Sequence, residues 1–240
     1  MNVPLVCLAA TEVDVIYVWG KATLEGKAII VLLFIFSIFA WSIILSKVLE
    51  MRRARRLNQC FDYEFRRQTT VLGIHERHIH VEGCPLLTVY QAGCQELDTR
   101  LKGAAAAGHQ GRMSLKAMEH VKRTLERAVA QEALKLESGL ILLAIAVSGA
   151  PFLGLLGTVW GVMSAFSQVA IRGNADLQTM APGVAAALIT TVAGLLVAIP
   201  SMFGYNYLVH HLRVLTVELD NFAQELASKM ETEYLSDDDE

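Results

Sequence analysis

The chain has 240 residues, of which 53% are apolar, with a formal charge of −3 and a positive mean hydropathy. That length would house one or two soluble domains, but the composition pulls toward a membrane protein and leaves no room for a soluble catalytic domain. Charge is so unevenly spread that its net value says little about partners, and no nucleic-acid partner is expected.

The N-terminal stretch "MNVPLVCLAATEVD" lacks a basic region and soon meets Glu12 and Asp14, so no cleaved signal peptide is expected. Residues 1–26 read as an external N-terminal segment. Between Lys27 and Lys47 lie 19 uncharged residues, about 28 Å as a helix at about 1.5 Å per residue, roughly one bilayer core. This is the first predicted transmembrane helix, residues 27–49. Arg52, Arg53, Arg55 and Arg56 follow at once, and 15 of the 21 basic residues fall between Glu50 and Glu137. The excess of Lys and Arg assigns residues 50–137 to the cytoplasm as a helical domain and the N-terminus to the outside.

Within that segment the first helix is expected to run on through "KVLEMRRARRLNQCFDYEFRRQ", with no breaker before Gly73. "HERHIHVEGC" places His75, His78, His80 and Cys84 close together, but no second ligand pair follows at a zinc-site spacing, so a solvated turn is the expectation. No metal or other cofactor is expected. Nor is a disulfide framework, since Cys60, Cys84 and Cys94 lie on the reducing side and Cys7 stands alone. "CPLLTVYQAGCQEL" offers a small helix with buried positions, and "LKGAAAAGHQGR" reads as a flexible joint. Helical periodicity resumes with Met118, Val121, Leu125, Ala128, Glu132 and Leu136, and this helix is expected to lead straight into the next span.

The second predicted span, residues 138–171, carries small residues at Ala150, Gly154, Gly157, Gly161 and Ala165. The third, residues 177–209, carries Gly183, Ala187, Thr190, Gly194 and Ala198. Both stripes step by four, three, four and four. Lipid tails give helices no hydrophobic reason to associate, so small stripes permit close packing instead, and a tight hairpin across the short external link 172–176 is expected. Gly154, Gly157, Gly161, Gly183 and Gly194 are the expected packing glycines. Pro151 and Pro200 are expected kinks, whereas Pro182 reads as a first-turn proline. Residues 210–240 form a cytoplasmic C-terminal helix and acidic tail: Leu208, Leu212, Leu215, Leu219, Phe222 and Leu226 make an apolar seam, expected to pack on the inward extension of the second helix, and "SDDDE" is a solvated end.

Thr158 and Thr191 lie beside the two small stripes at matching depths in antiparallel helices, with Thr190 and Ser148 as further hydroxyls for a shared polar patch. A membrane threonine often only bonds its own backbone four residues back. Trp160 suits a pore wall or a lipid-facing position equally. No Asp, Glu, Lys, Arg or His lies from Ser138 to Ile171 or from Leu177 to Val209, although proton relays normally use an ionisable group inside the membrane. If ions cross here, another chain brings that group. The fold class is therefore an all-α membrane protein: three transmembrane helices with long cytoplasmic helical extensions.

The segments "AWSIILSKVLEMRRARRLNQCF", "RAVAQEALKLESGLILLAIAVSGAPFLGLLGTVWGVMSAF" and "APGVAAALITTVAGLLVAIPSMFGYN" resemble the MotA/TolQ/ExbB proton channel family, its ExbB and TolQ branches above all. The resemblance implies a ring-forming oligomer of the bacterial inner membrane, a homopentamer. That ring would enclose a single-span partner similar to ExbD or TolR, whose intramembrane aspartate supplies the missing charge. Thr158 and Thr191 match the family's two pore-facing threonines. A TonB-like or TolA-like protein is a further implied partner, and the implied work is proton-driven transport across the envelope. One departure stands out: where ExbB and TolQ commonly have a glutamate in the third span, this sequence has Ala186. A non-conducting scaffold with docking helices and a MotA-like motility stator are the alternatives, and sodium in place of protons stays open. A solute transporter lacks the repeats and broken helices it needs, and an enzyme lacks a nucleophile, base or metal constellation.

Overall fold

The computed structural model describes residues 23–77, 81–106, 112–172 and 177–235, and the described structure is helical. The expectations for the N-terminal segment before residue 23, Cys7, His78, His80, the centre of the external link and the acidic tail lie outside the described residues. Five helices follow in order: α1 Leu24–Arg66, α2 Pro85–Ala106, α3 Leu115–Glu137, α4 Leu140–Arg172 and α5 Leu177–Tyr234. Two short 3-10 turns, Val71–Gly73 and His75–Arg77, stand between α1 and α2. Three helices, α1, α4 and α5, are long and apolar enough to cross a membrane.

Helix ends follow local chemistry. Thr23 starts α1, its hydroxyl accepting from Gly26 N at 3.2 Å. Ser114 caps α3 by accepting from Ala117 N at 3.4 Å. Asn58 of α1 serves α2 instead: its Oδ1 accepts from Leu86 N at 3.2 Å, behind Pro85 at the first helical position.

The chain divides into two compact units. One takes Ile141–Tyr205 with α1 up to Ile44; the other takes Leu45–Leu140 with the chain from Asn206 on. In the first, α1 buries a narrow face, Gly26, Leu33 and Ala40, at steps of seven. Leu33 packs with Ala150, Val197 and Ala198, flanked by Ile29, Phe36, Leu153 and Ala193. Most large apolar side chains of this unit, including Phe34, Phe39, Phe152 and Phe203, face outward, as lipid rather than water requires.

The second unit is an ordinary helical core. Met118, Val121, Leu125, Ala128, Glu132 and Leu136 are all buried along α3, as the periodicity predicts, together with Val129. Of the α5 seam, Leu208, Leu215, Leu219, Phe222 and Leu226 are buried and Leu212 is half-buried. Phe61 and Phe65 of α1, Tyr90 of α2 and Phe222 of α5 form an aromatic cluster with centroids 5.1 to 6.3 Å apart. The α5 end meets the start of α3 through Met113 N donating to Tyr234 O at 2.8 Å and a Lys122–Glu231 ion pair at 2.6 Å.

α1 runs on past its apolar stretch to Arg66, within two residues of the expected run, and side chains from elsewhere hold the chain that follows: Val71 N donates to Glu233 Oε2 at 2.9 Å and Val71 O accepts from Tyr90 Oη at 2.6 Å. Three expectations need correction. α3 does not lead straight into the next span. Gly139 adopts φ +85°, a conformation that favours glycine, and Ser138 caps the break with N donating to Leu134 O and Oγ to Lys135 O. Lys47 Nζ donates to Leu136 O at 3.4 Å and so gives one of the carbonyls freed there a hydrogen-bond partner. "LKGAAA" is helical, continuing α2 to Ala106, since alanine favours helix where nothing opposes it. Pro182 is not in the first turn, for α5 begins five residues earlier and continues through Pro182 and Pro200, as α4 does through Pro151.

Candidate functional site: a hydroxyl cluster between α4 and α5

The small residues of α4 and α5 face one another within the first unit. A Cβ built on Gly194 would stand 2.6 Å from Ala150 O and 3.1 Å from Gly154 Cα, so here backbone meets backbone. On Gly154 it would meet Thr190 O at 2.8 Å, on Gly161 the Ala187 Cβ at 2.6 Å, and on Gly183 the Ala165 Cβ at 3.2 Å. Gly157 differs, because a Cβ there would lie 2.6 Å from Thr190 Oγ1. Its missing side chain makes the room that the Thr190 hydroxyl occupies.

Three hydroxyls converge on one carbonyl. Gly154 O lies within hydrogen-bond distance of Thr158 Oγ1 at 2.9 Å, Thr190 Oγ1 at 3.0 Å and Thr191 Oγ1 at 3.2 Å. Thr190 also reaches Ala187 O at 2.6 Å, and the Thr158 and Thr191 hydroxyls bond each other across the two helices. Each hydroxyl has one proton to donate and two lone pairs to receive with. With Thr190 donating to Ala187 O, one of the other two donates to Gly154 O and the second to its neighbour. Either order satisfies the set. Thr190 is 1% exposed, whereas Thr158 and Thr191 are half-buried and keep one side open.

Ser148 does not join them. It is exposed, donates to Ala144 O at 3.0 Å on its own helix, and lies ten residues before Thr158, about 15 Å along the axis. Trp160 is exposed and Ala186 is buried. No group of three or more His, Cys, Asp or Glu side chains able to hold a metal is present among the described residues. His75 stands in the turn before α2 with N donating to Tyr90 Oη at 3.0 Å. Sequence reading missed the Gly154 carbonyl as the shared acceptor. The only signal for it was the four-residue spacing to Thr158.

Two small-faced helices, free of Asp, Glu, Lys, Arg and His over residues 140–171 and 177–209, hold paired hydroxyls at one level, and with α1 they mark a protein of the polytopic membrane class. The sequence model of the MotA/TolQ/ExbB proton channel family matches residues 90–221, which include both threonines, and the chain belongs to that family. It is thus a channel-family protein and not an enzyme. It is 31% identical over 223 residues to the Tol-Pal system protein TolQ of Haemophilus influenzae, covering 90% of this chain and 93% of that one. It is 29% identical over 207 residues to the biopolymer transport protein ExbB of Neisseria meningitidis, 86% of this chain and 91% of that one. With ExbB of Xanthomonas campestris the identity is 40% over 135 residues, 52% of this chain and 53% of that one, so this match spans about half of that relative.

Proposed function

We propose that this chain is the channel-forming stator subunit of an inner-membrane machine that couples proton entry to work on the cell envelope. It forms a ring, a pentamer, around the membrane helix of an ExbD- or TolR-like partner whose aspartate is the titratable group. The N-terminus lies outside; residues 50–137 and 210–240 lie in the cytoplasm, in keeping with the 15 basic residues of the first of these segments. A TonB-like or TolA-like protein takes up the motion beyond the membrane.

The observation that carries this reading is the hydrogen-bonded Thr158–Thr191 pair, half-open on helix segments, 140–171 and 177–209, that lack charge. A protonated carboxyl beside the pair finds hydroxyl lone pairs to donate to. An ionised carboxyl takes a hydroxyl proton when one threonine gives up its bond to Gly154 O or to its neighbour. An ionised acid is costly in the membrane, so every protonation changes the surface the partner helix prefers. A membrane potential supplies about 2.3 kcal/mol per charge per 100 mV, enough to bias one small step.

The test replaces each hydroxyl by a methyl, Thr158→Val and Thr191→Val, in the complex with its partner. Proton flux into liposomes, read with an internal pH-sensitive dye, is expected to fall at least tenfold while the ring still elutes intact. Full flux in both variants would remove the assigned role. Neither the non-conducting scaffold nor the motility stator is favoured by a specific observation, and a complex that carries no proton current at all would restore the scaffold.

A further inference from the structure

Toward the end of its apolar stretch, α1 changes its exposed side chains from Leu45 and Leu49 to Arg52, Arg55 and Arg56. Positions 45, 49, 52 and 56 step by four, three and four and so share one helix face. The opposite face is fixed, since Met51, Ala54 and Asn58 are each 3% exposed in the core of the second unit. The arginines are therefore held outward.

Elsewhere in this unit a basic side chain commonly sits four residues from an acid and pairs with it: Arg66 with Asp62, Arg100 with Glu96, Arg123 with Glu119 and Lys229 with Glu225. The arginine cluster is built the other way. Arg52 has Arg55 and Arg56 three and four residues on, and Arg53 has Arg56 three on; like charges at these spacings oppose helix formation. The nearest acid, Glu50, is paired with Lys47 at 2.9 Å. Arg53 donates to Glu82 O at 3.5 Å, while Arg52, Arg55 and Arg56 have no hydrogen-bond or ion-pair partner among the described residues.

We propose that this face of α1 binds anionic phospholipid. The acyl chain lies along Leu45 and Leu49, and the headgroup phosphate is held by Arg52 and Arg56 with Arg55 beside them. Guanidinium groups match phosphate oxygens two at a time, and a basic cluster just past a membrane span meets the headgroup layer. The occupant is a lipid rather than free phosphate because Leu45 and Leu49, 63% and 57% exposed, adjoin the arginines on the same face and need apolar cover. This inference requires that α1 span the bilayer and not that protons pass, so it and the proton reading fail separately.

The full chain, stripped of lipid in a non-ionic detergent, is offered dioleoyl phosphatidylglycerol or dioleoyl phosphatidylcholine, and retained lipid is weighed by native mass spectrometry. Phosphatidylglycerol is expected to stay on the parent, and on a control of equal charge loss, Arg100→Gln with Arg123→Gln and Lys229→Gln. Its affinity is expected to fall about a hundredfold, roughly fivefold per arginine, in Arg52→Gln with Arg55→Gln and Arg56→Gln. Equal retention of both lipids by the parent would overturn the proposal, whatever the variants do. So would undiminished retention by the arginine variant, or displacement of the lipid by an equal concentration of inorganic phosphate.

Discussion

In the unit containing α4, helices meet through Gly154, Gly157, Gly161 and Gly194, and the large side chains turn away; in the unit containing α2 and α3, they meet through Tyr90, Met118, Leu125, Leu219 and Phe222. The solvent accounts for this difference. Water drives large apolar groups together, whereas lipid gains nothing from exchanging one apolar contact for another, so the membrane unit relies on backbone approach and a few hydroxyl bonds. Polar groups differ accordingly. The membrane unit gathers three threonine hydroxyls around one carbonyl, while the other unit uses polar groups in caps and ion pairs that fix where segments begin and end.

The largest expected effect breaks the close-packed side of this contrast. Gly194→Leu forces a side chain into the Ala150 carbonyl and the Gly154 backbone, neither of which can yield, and should abolish the folded α4–α5 pair, seen as loss of cooperative melting in detergent. In the other unit the corresponding break is a cavity. Leu219→Ala removes a side chain with no exposure and should cost about 2–5 kcal/mol by chemical denaturation. Asn58→Ala leaves Leu86 N without its acceptor at the start of α2 and should cost about 1–3 kcal/mol in the same measurement.

A smaller effect, about 1 kcal/mol or less, is expected from Thr190→Val, which removes the hydroxyl bond to Ala187 O but keeps the shape. Gly149→Ala should be close to neutral or slightly stabilising, because a Cβ there meets nothing within 4 Å although it stands on the same helix as Gly154. Thiol reactivity sharpens the contrast within the second unit at no cost to the fold. Burial pushes the Cys94 thiol up to about 12, with the Tyr90 hydroxyl bond opposing and Glu233 adding to it; burial also raises Cys84, against the Leu87 and Leu86 amides. Since the thiolate reacts, maleimide mapped by peptide mass spectrometry at neutral pH should mark exposed Cys60 and reach Cys84 and Cys94 only after unfolding.

The sequence by itself determined the all-helical class, the apolar helices, the small stripes and the buried face of α3, because each is a repeating pattern along one helix and needs no knowledge of its neighbours. Thr158 and Thr191 were legible for the same reason, through their spacing from glycines. Only the tertiary structure decided that Gly154 O is the acceptor on which three hydroxyls converge, that Ser148 stands apart, and that α1 stops at Arg66. It also decided that Gly139 separates α3 from α4, with Lys47 at the break. Each of these depends on atoms distant in the chain meeting at hydrogen-bond range, and a pattern read along a single segment holds no record of that meeting.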